Sequence, residues 1–160
     1  MFEGIVLVAT DLDLTLWDHP DISSAKPPFR RVDRDSIVDS EGARIALYPC
    51  AREFLVEAKR RSLHLAVVSW NFREKAEAAL AELGLLGLFD FVVIEPHPRK
   101  DEMFEKLLES SGIRPREILY LDDNPTMIER VKRRFPEVRA YLFGSEVDSF
   151  CYLIERLPSR

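Results

Sequence analysis

Asp11 and Asp13 stand two residues apart just after an apolar run, Ile5-Val6-Leu7-Val8-Ala9, and Asp122-Asp123 close another, Ile118-Leu119-Tyr120-Leu121. Ser69 ends a third run that begins at Leu63, and Lys100 follows a fourth, Phe89 to Ile94, at the head of an amphipathic segment. A single Asp at such a position is more simply a turn residue or a helix cap. The ordered set is different, because carboxylates gathered in one place repel one another unless a cation neutralises them. Oxygen donors of this kind suit Mg²⁺, which takes one or two carboxylates, several waters and the oxygens of a phosphate. The chain has no Cys/His cluster that would offer zinc a site. The chemistry these residues could support is therefore that of an anionic ligand held by a hard cation and one ammonium group.

The elements that must bring them together are legible as alternation. Continuous apolar runs read as strands buried on both faces, and the five of them end with Val138 to Phe143. Between them lie helical spacings: Ala51, Phe54, Leu55 and Ala58; Ala76, Ala79, Leu80 and Leu83; Phe104, Leu107 and Leu108; Ile128, Val131 and Phe135; and Val147, Phe150, Cys151 and Ile154. Asn124 before Pro125 predicts a helix start, with a side-chain cap and Pro at the first helical position. Strands alternating with helices predict an α/β fold, a Rossmann-like three-layer sandwich around a central parallel sheet. Ligands of such sheets bind outside the carboxyl ends of the strands, where all the residues above collect.

The segment from about residue 17 to 49 interrupts the rhythm and carries Pro20, Pro27 and Pro28. So long a connection inside one domain is usually functional or has its own small structure. Ser36-Ile37-Val38 and Arg44-Ile45-Ala46-Leu47 predict a β-hairpin turning at Glu41-Gly42, read as a flap over the strand ends.

The 160 residues fit one domain, with hydrophobic residues at 46%, charged residues at 32% and a formal net charge of -5. That balance argues against nucleic acid or an anionic membrane as a partner. No apolar stretch reaches the ~18 residues of a membrane span, and Met1-Phe2-Glu3-Gly4 lacks the pattern of a secretory leader. A cytoplasmic location and two reduced thiols, Cys50 and Cys151, are the corresponding expectations.

Asp11-Leu12-Asp13-Leu14-Thr15-Leu16-Trp17 resembles the first motif, DxDxT, of the haloacid dehalogenase superfamily. Ser69, Lys100 and the Asp122-Asp123 pair follow in the order of its other motifs. More narrowly, Pro27-Pro28-Phe29, Leu47-Tyr48-Pro49 and Leu121 to Asn124 resemble the small capless magnesium-dependent phosphatases. The resemblance covers nearly the whole chain. It implies one phosphatase domain over residues 1–160 that hydrolyses phosphomonoesters through an aspartyl-phosphate on Asp11, with Asp13 as general acid/base. It also implies Mg²⁺ held by Asp11, Asp13 (through its backbone carbonyl), Asp122 and Asp123. Leu12, Ser69, Trp70, Asn71 and Lys100 would surround the transferred phosphate, and Thr15 would orient Asp13. The substrate would be a phosphorylated small molecule, such as a sugar phosphate, or a phosphoprotein.

Two departures stand out. Relatives often carry Arg after the second-motif Ser, where this chain has Trp70, so that Arg73 or Arg99 would have to substitute; and Asn124 stands where an acidic residue is common. Trp17 and Trp70 fit packing or a substrate wall equally well. His19 and His97 lie in loops near the same end, while His64 alternates with apolar neighbours as a structural residue. Arg30, Arg31, Arg34 and Arg44, interleaved with Asp33, Asp35, Asp39 and Glu41, read as a charge-balanced flap. Two other classes compete with an enzyme: a phosphoacceptor signalling module and a catalytically silent phosphate-binding protein. Asp13 discriminates, because a phosphoacceptor needs no second carboxylate for turnover. The sequence leaves oligomeric state open.

Overall fold

A computed structural model describes residues 1–159. Its central sheet contains β1 (Leu7–Thr10), β5 (His64–Trp70), β6 (Phe91–Glu95), β7 (Ile118–Asp122) and β8 (Arg139–Leu142), all parallel in the order β6-β5-β1-β7-β8. Leu7 pairs with His64 on one side and Ile118 on the other, which fixes the register of the three middle strands.

Alternate residues of these strands feed two cores, which is why the runs are continuously apolar. Val8, Leu65, Val67, Leu119 and Leu121 pack with α1 (Ala51–Arg60), α2 (Arg73–Glu82) and α5 (Phe150–Arg156). Leu7, Ala66, Val68, Ile118 and Tyr120 face α3 (Lys100–Ser111) and α4 (Pro125–Arg134). The expected three-layer sandwich is thus present. From β1 the chain adds strands first on one side (β5, β6) and then on the other (β7, β8). The carboxyl ends of β1, β5 and β7 therefore open a crevice at the point where the order reverses.

The helix ends follow local chemistry. Asn124 Oδ1 accepts from Thr126 N, capping α4 as expected, and Pro125 occupies its first position. Ser149 Oγ accepts from Tyr152 N, so α5 begins at Phe150; Val147 is buried but lies before the helix, bridged to Phe143.

The insertion holds three strands, β2 (Arg30–Asp33), β3 (Ser36–Val38) and β4 (Arg44–Ala46), in an antiparallel sheet. β3 and β4 form the expected hairpin. β2 is fully exposed, so no apolar alternation marked it. Asp39 orders the turn: its Oδ1 accepts from Glu41 N and Ala43 N, and its Oδ2 from Lys26 N. Those N–H groups hold its carboxyl below the usual range. This small sheet docks on the α1 and α2 side, through Arg52 to Asp35, Arg34 to Glu53 and Arg31 N to Glu82. It does not wall the crevice. The part of the insertion that does is the short turn around Pro20, Asp21 and Ser23.

The expectation of two thiols is overturned. Cys50, in the left-handed region just before α1, is joined to Cys151 in α5, with Cα atoms 5.1 Å apart and a sequence separation of 101. Position 151 lies on the face of α5 that meets α1, a proximity that spacing along the chain cannot express. A bridge over so long a loop restricts the unfolded chain and, in the chain-entropy account, contributes about 2–4 kcal/mol. Cys50→Ser should accordingly lower the melting midpoint by several degrees, and the oxidised chain in denaturant should give no thiol titration. Two titratable thiols and a midpoint indifferent to reductant would contradict the bridge.

Candidate active site

Lys100 is the centre of the crevice floor. It begins α3 yet is 1% exposed, because its ammonium reaches under β1 and β7 to Asp122 Oδ2 at 2.8 Å and Asp11 Oδ1 at 3.2 Å. It also donates to Val68 O at 3.0 Å. Burial works against the charged form, but the two carboxylates outweigh it and raise the Lys100 pKa. Tyr120 OH donates to the Asp122 oxygen that also takes Lys100, and burial pushes the phenol well above its usual value.

Asp11, Asp122 and Asp123 each bring a carboxylate oxygen within 4.8 Å of the others. Burial pushes Asp11 up to about 8 even with Lys100 beside it, and the Asp122 charge adds to the rise. Asp123 is raised by burial and then by Asp122. One ammonium does not balance three clustered carboxylates. An added divalent cation would restore ionisation, and the hard all-oxygen donor set fits Mg²⁺.

Asp13 lies apart from this cluster. Its Oδ1 accepts from Trp17 Nε1 at 2.8 Å and Ile22 N at 3.0 Å, and its Oδ2 from Asn71 Nδ2 at 3.1 Å. Burial nevertheless raises its pKa, those donors offsetting only part of the effect. The turn that separates Asp11 from Asp13 is tight. Thr15, Leu16 and Trp17 N–H groups all point to Leu12 O, and Leu14 takes a left-handed φ of 56° that a branched side chain rarely adopts.

The crevice encloses about 530 Å³. Asp11, Lys100, Asp122 and Asp123 line its floor, and Asp13, Trp70, Asn71 and Phe72 one wall.

With this geometry in view, the relatives are informative. A model of the acid phosphatase family matches residues 5–142. The chain belongs to the acid phosphatase family. It is 32% identical over 122 residues to a phosphoserine phosphatase of Thermus thermophilus, which covers 61% of this chain and 48% of the relative. The chain thus spans about half the length of that relative. Its fold is similar to a haloacid dehalogenase superfamily hydrolase from Geobacter sulfurreducens, with a TM-score of 0.69 at 18% identity, over 97% of both chains. It is also similar to the N-terminal part of a Bacteroides fragilis protein, containing a phosphatase domain complexed with Mg, with a TM-score of 0.66 at 17% identity. That match covers 97% of this chain and 41% of the other. At such identity the two structures speak for the fold alone.

The sequence-predicted residues of this acid phosphatase family member fall into three groups. Asp11, Lys100, Asp122 and Asp123 converge, and Asp13, Trp70 and Asn71 join them at the crevice wall. Leu12 and Ser69 are buried beneath the wall, Ser69 Oγ accepting from Asn71 Nδ2 at 2.9 Å. Several residues do something other than expected. Thr15 is bonded to Asp123, not Asp13: its Oγ1 donates to Asp123 Oδ1 and accepts from Asp123 N, each at 3.1 Å. Trp17 is fully buried and is no substrate wall. Arg73 pairs with Glu77 and Arg99 with Glu102, so neither replaces the guanidinium missing at Trp70. His97 bonds Glu95, His19 accepts from Asp21 N, and His64 is exposed beside Asp90 rather than packed in the core. Ser23 was missed altogether. It donates to Asn71 Oδ1 and accepts from Phe72 N, clasping a loop 48 positions away. A serine inside an irregular turn carries no sequence signal for that.

The buried triad makes a stability prediction. Lys100→Met leaves two buried carboxylates uncompensated, a change of about 3–5 kcal/mol. Chemical denaturation in the presence of a chelator measures it. A loss under ~1 kcal/mol, the scale of an exposed pair, would show that the triad does not hold the strand ends together.

Proposed function

We propose that the chain is a Mg²⁺-dependent phosphomonoester hydrolase. The observation that carries this reading is the buried Asp11 carboxylate, 3.2 Å from the Lys100 ammonium, on the floor of a crevice that also presents Asp13. Asp11, Asp122 and Asp123 would hold the cation, with the Asp13 backbone carbonyl as a further donor. When bound, Mg²⁺ would neutralise these carboxylates and the phosphoryl oxygens and so favour attack by an anionic nucleophile.

The chain's own residues supply the rest. An Asp11 oxygen attacks phosphorus in line, forming an acyl phosphate as the ester oxygen departs. The Asp13 carboxyl, protonated more readily because of its burial, gives its proton to that oxygen. Water then attacks the acyl phosphate, its proton passing to the Asp13 carboxylate, and Asp11 is released with inorganic phosphate. Lys100 offsets the negative charge that develops beside Asp11. Trp17 Nε1, Ile22 N and Asn71 Nδ2 hold Asp13 so that it serves both steps from one position. The crevice is open enough to admit a small phosphorylated molecule or a phosphorylated protein side chain.

Phosphate release measured with and without Mg²⁺ tests the reading. Asp11→Asn should abolish turnover, and Asp13→Asn should lower kcat by about 10²–10⁴-fold. Mg²⁺ should raise the melting midpoint of the wild type and raise that of Asp122→Asn far less. Turnover that survives in Asp11→Asn, or a midpoint equally responsive to Mg²⁺ in both proteins, would overturn the reading.

A further inference from the structure

Large apolar side chains seldom face solvent without a reason, yet Trp70 is 52% exposed and Phe72 56% exposed, and both border the crevice. Their exposure is fixed by the residue between them. Asn71 is 3% exposed and points inward, bonded to Asp13, Ser69 and Ser23. Phe72 N is bound to Ser23 Oγ at 2.8 Å, so the loop is held at its second end as well. With Asn71 anchored inward, the side chains on either side of it are presented outward. Leu14, 38% exposed, and Met127 also border the crevice.

The charges of the crevice point the same way. Among the described residues, Lys100 is the one cation that lines it, and Asp11 and Asp122 already take its ammonium. Asp21, on the turn that walls the crevice, adds negative charge. A cation and Lys100 can meet the phosphoryl group, but a carboxylate or second phosphate farther out on the substrate would meet no further cation among the lining residues; the nearest on that wall, Lys75, is bonded to Ser23 O at 2.7 Å. No guanidinium lines the crevice among the described residues, and Arg73 and Arg99 are paired with Glu77 and Glu102.

We infer that Trp70 and Phe72 determine specificity, selecting phosphomonoesters whose leaving group is apolar and carries no second anion. This rests on the phosphatase reading and names its substrate class. It sets the chain apart from the chemistry in the name of its relative, since phosphoserine carries a carboxylate beside the ester. Apolar contact with two rings, and repulsion of a second anion, are each worth about tenfold in kcat/KM on the scale of pocket discrimination.

Three alcohol phosphates of similar intrinsic reactivity separate the effects: benzyl phosphate, ethyl phosphate and 2-phosphoglycolate. The wild type should rank them in that order, each step about tenfold in kcat/KM. Trp70→Ala and Phe72→Ala should collapse the benzyl-to-ethyl ratio toward unity, while Trp70→Arg should raise activity on 2-phosphoglycolate relative to ethyl phosphate. Both side chains are more than half exposed, so melting midpoints near the wild type will show that the variants fold. A wild type that prefers 2-phosphoglycolate, or a benzyl-to-ethyl ratio unmoved in both alanine variants, overturns the inference and leaves the phosphatase reading standing. Release of phosphate from none of the three with Mg²⁺ present overturns the phosphatase reading, and the inference falls with it.

Discussion

The structure depends on a buried ammonium. Lys100 ties the ends of β1 and β7 together through Asp11 and Asp122, and it comes from α3, which follows a strand on the far side of the sheet. Without it, the topology would place bare carboxylates at the carboxyl ends of two neighbouring parallel strands, in an interior that penalises charge. With it, the three clustered carboxylates still outnumber the one ammonium. That residual imbalance adds to the effect of burial in raising Asp11, and it makes the cluster receptive to a hard cation.

A second ring of contacts decides what each carboxylate is free to do. Thr15 fastens Asp123 to the first loop, while Trp17, Ile22 and Asn71 fasten Asp13 away from the cluster. Two aspartates separated by one leucine therefore face different environments. Asp11 meets a cation across a dry floor, and Asp13 meets three neutral donors at the wall. The same ring shapes the rim, because Asn71 can serve Asp13 only by turning Trp70 and Phe72 outward. The setting of Asp13 and the exposure of Trp70 and Phe72 are thus coupled through one loop.

Much of this was legible in the sequence because it rests on periodicity and order. Strands buried on both faces write themselves as continuous apolar runs, and Asn124-Pro125 announces a helix start that the structure bears out. The convergence of Asp11, Lys100, Asp122 and Asp123 followed from knowing which end of a parallel strand binds ligands. What was not legible depends on contacts between distant segments. The exposed β2 carries no apolar alternation, the Cys50–Cys151 bridge joins the start of α1 to α5 across a sequence separation of 101, and Ser23 acts from a turn without pattern. Thr15, expected by resemblance to orient its loop and Asp13, sits in that loop but bonds Asp123, which the pairing of β1 with β7 brings near. The flap was misplaced because a hairpin's existence can be read from its turn, but not the surface on which it docks.

The central claim is that Asp11 becomes covalently phosphorylated. The most direct test is to quench the protein in acid during turnover of a phosphomonoester, reduce it with borohydride, and map the modified position by mass spectrometry. The account predicts homoserine in place of Asp11, dependent on substrate and Mg²⁺ and found at neither Asp13 nor Asp122. Full turnover with no modification at Asp11, or modification at Asp13 instead, would contradict it.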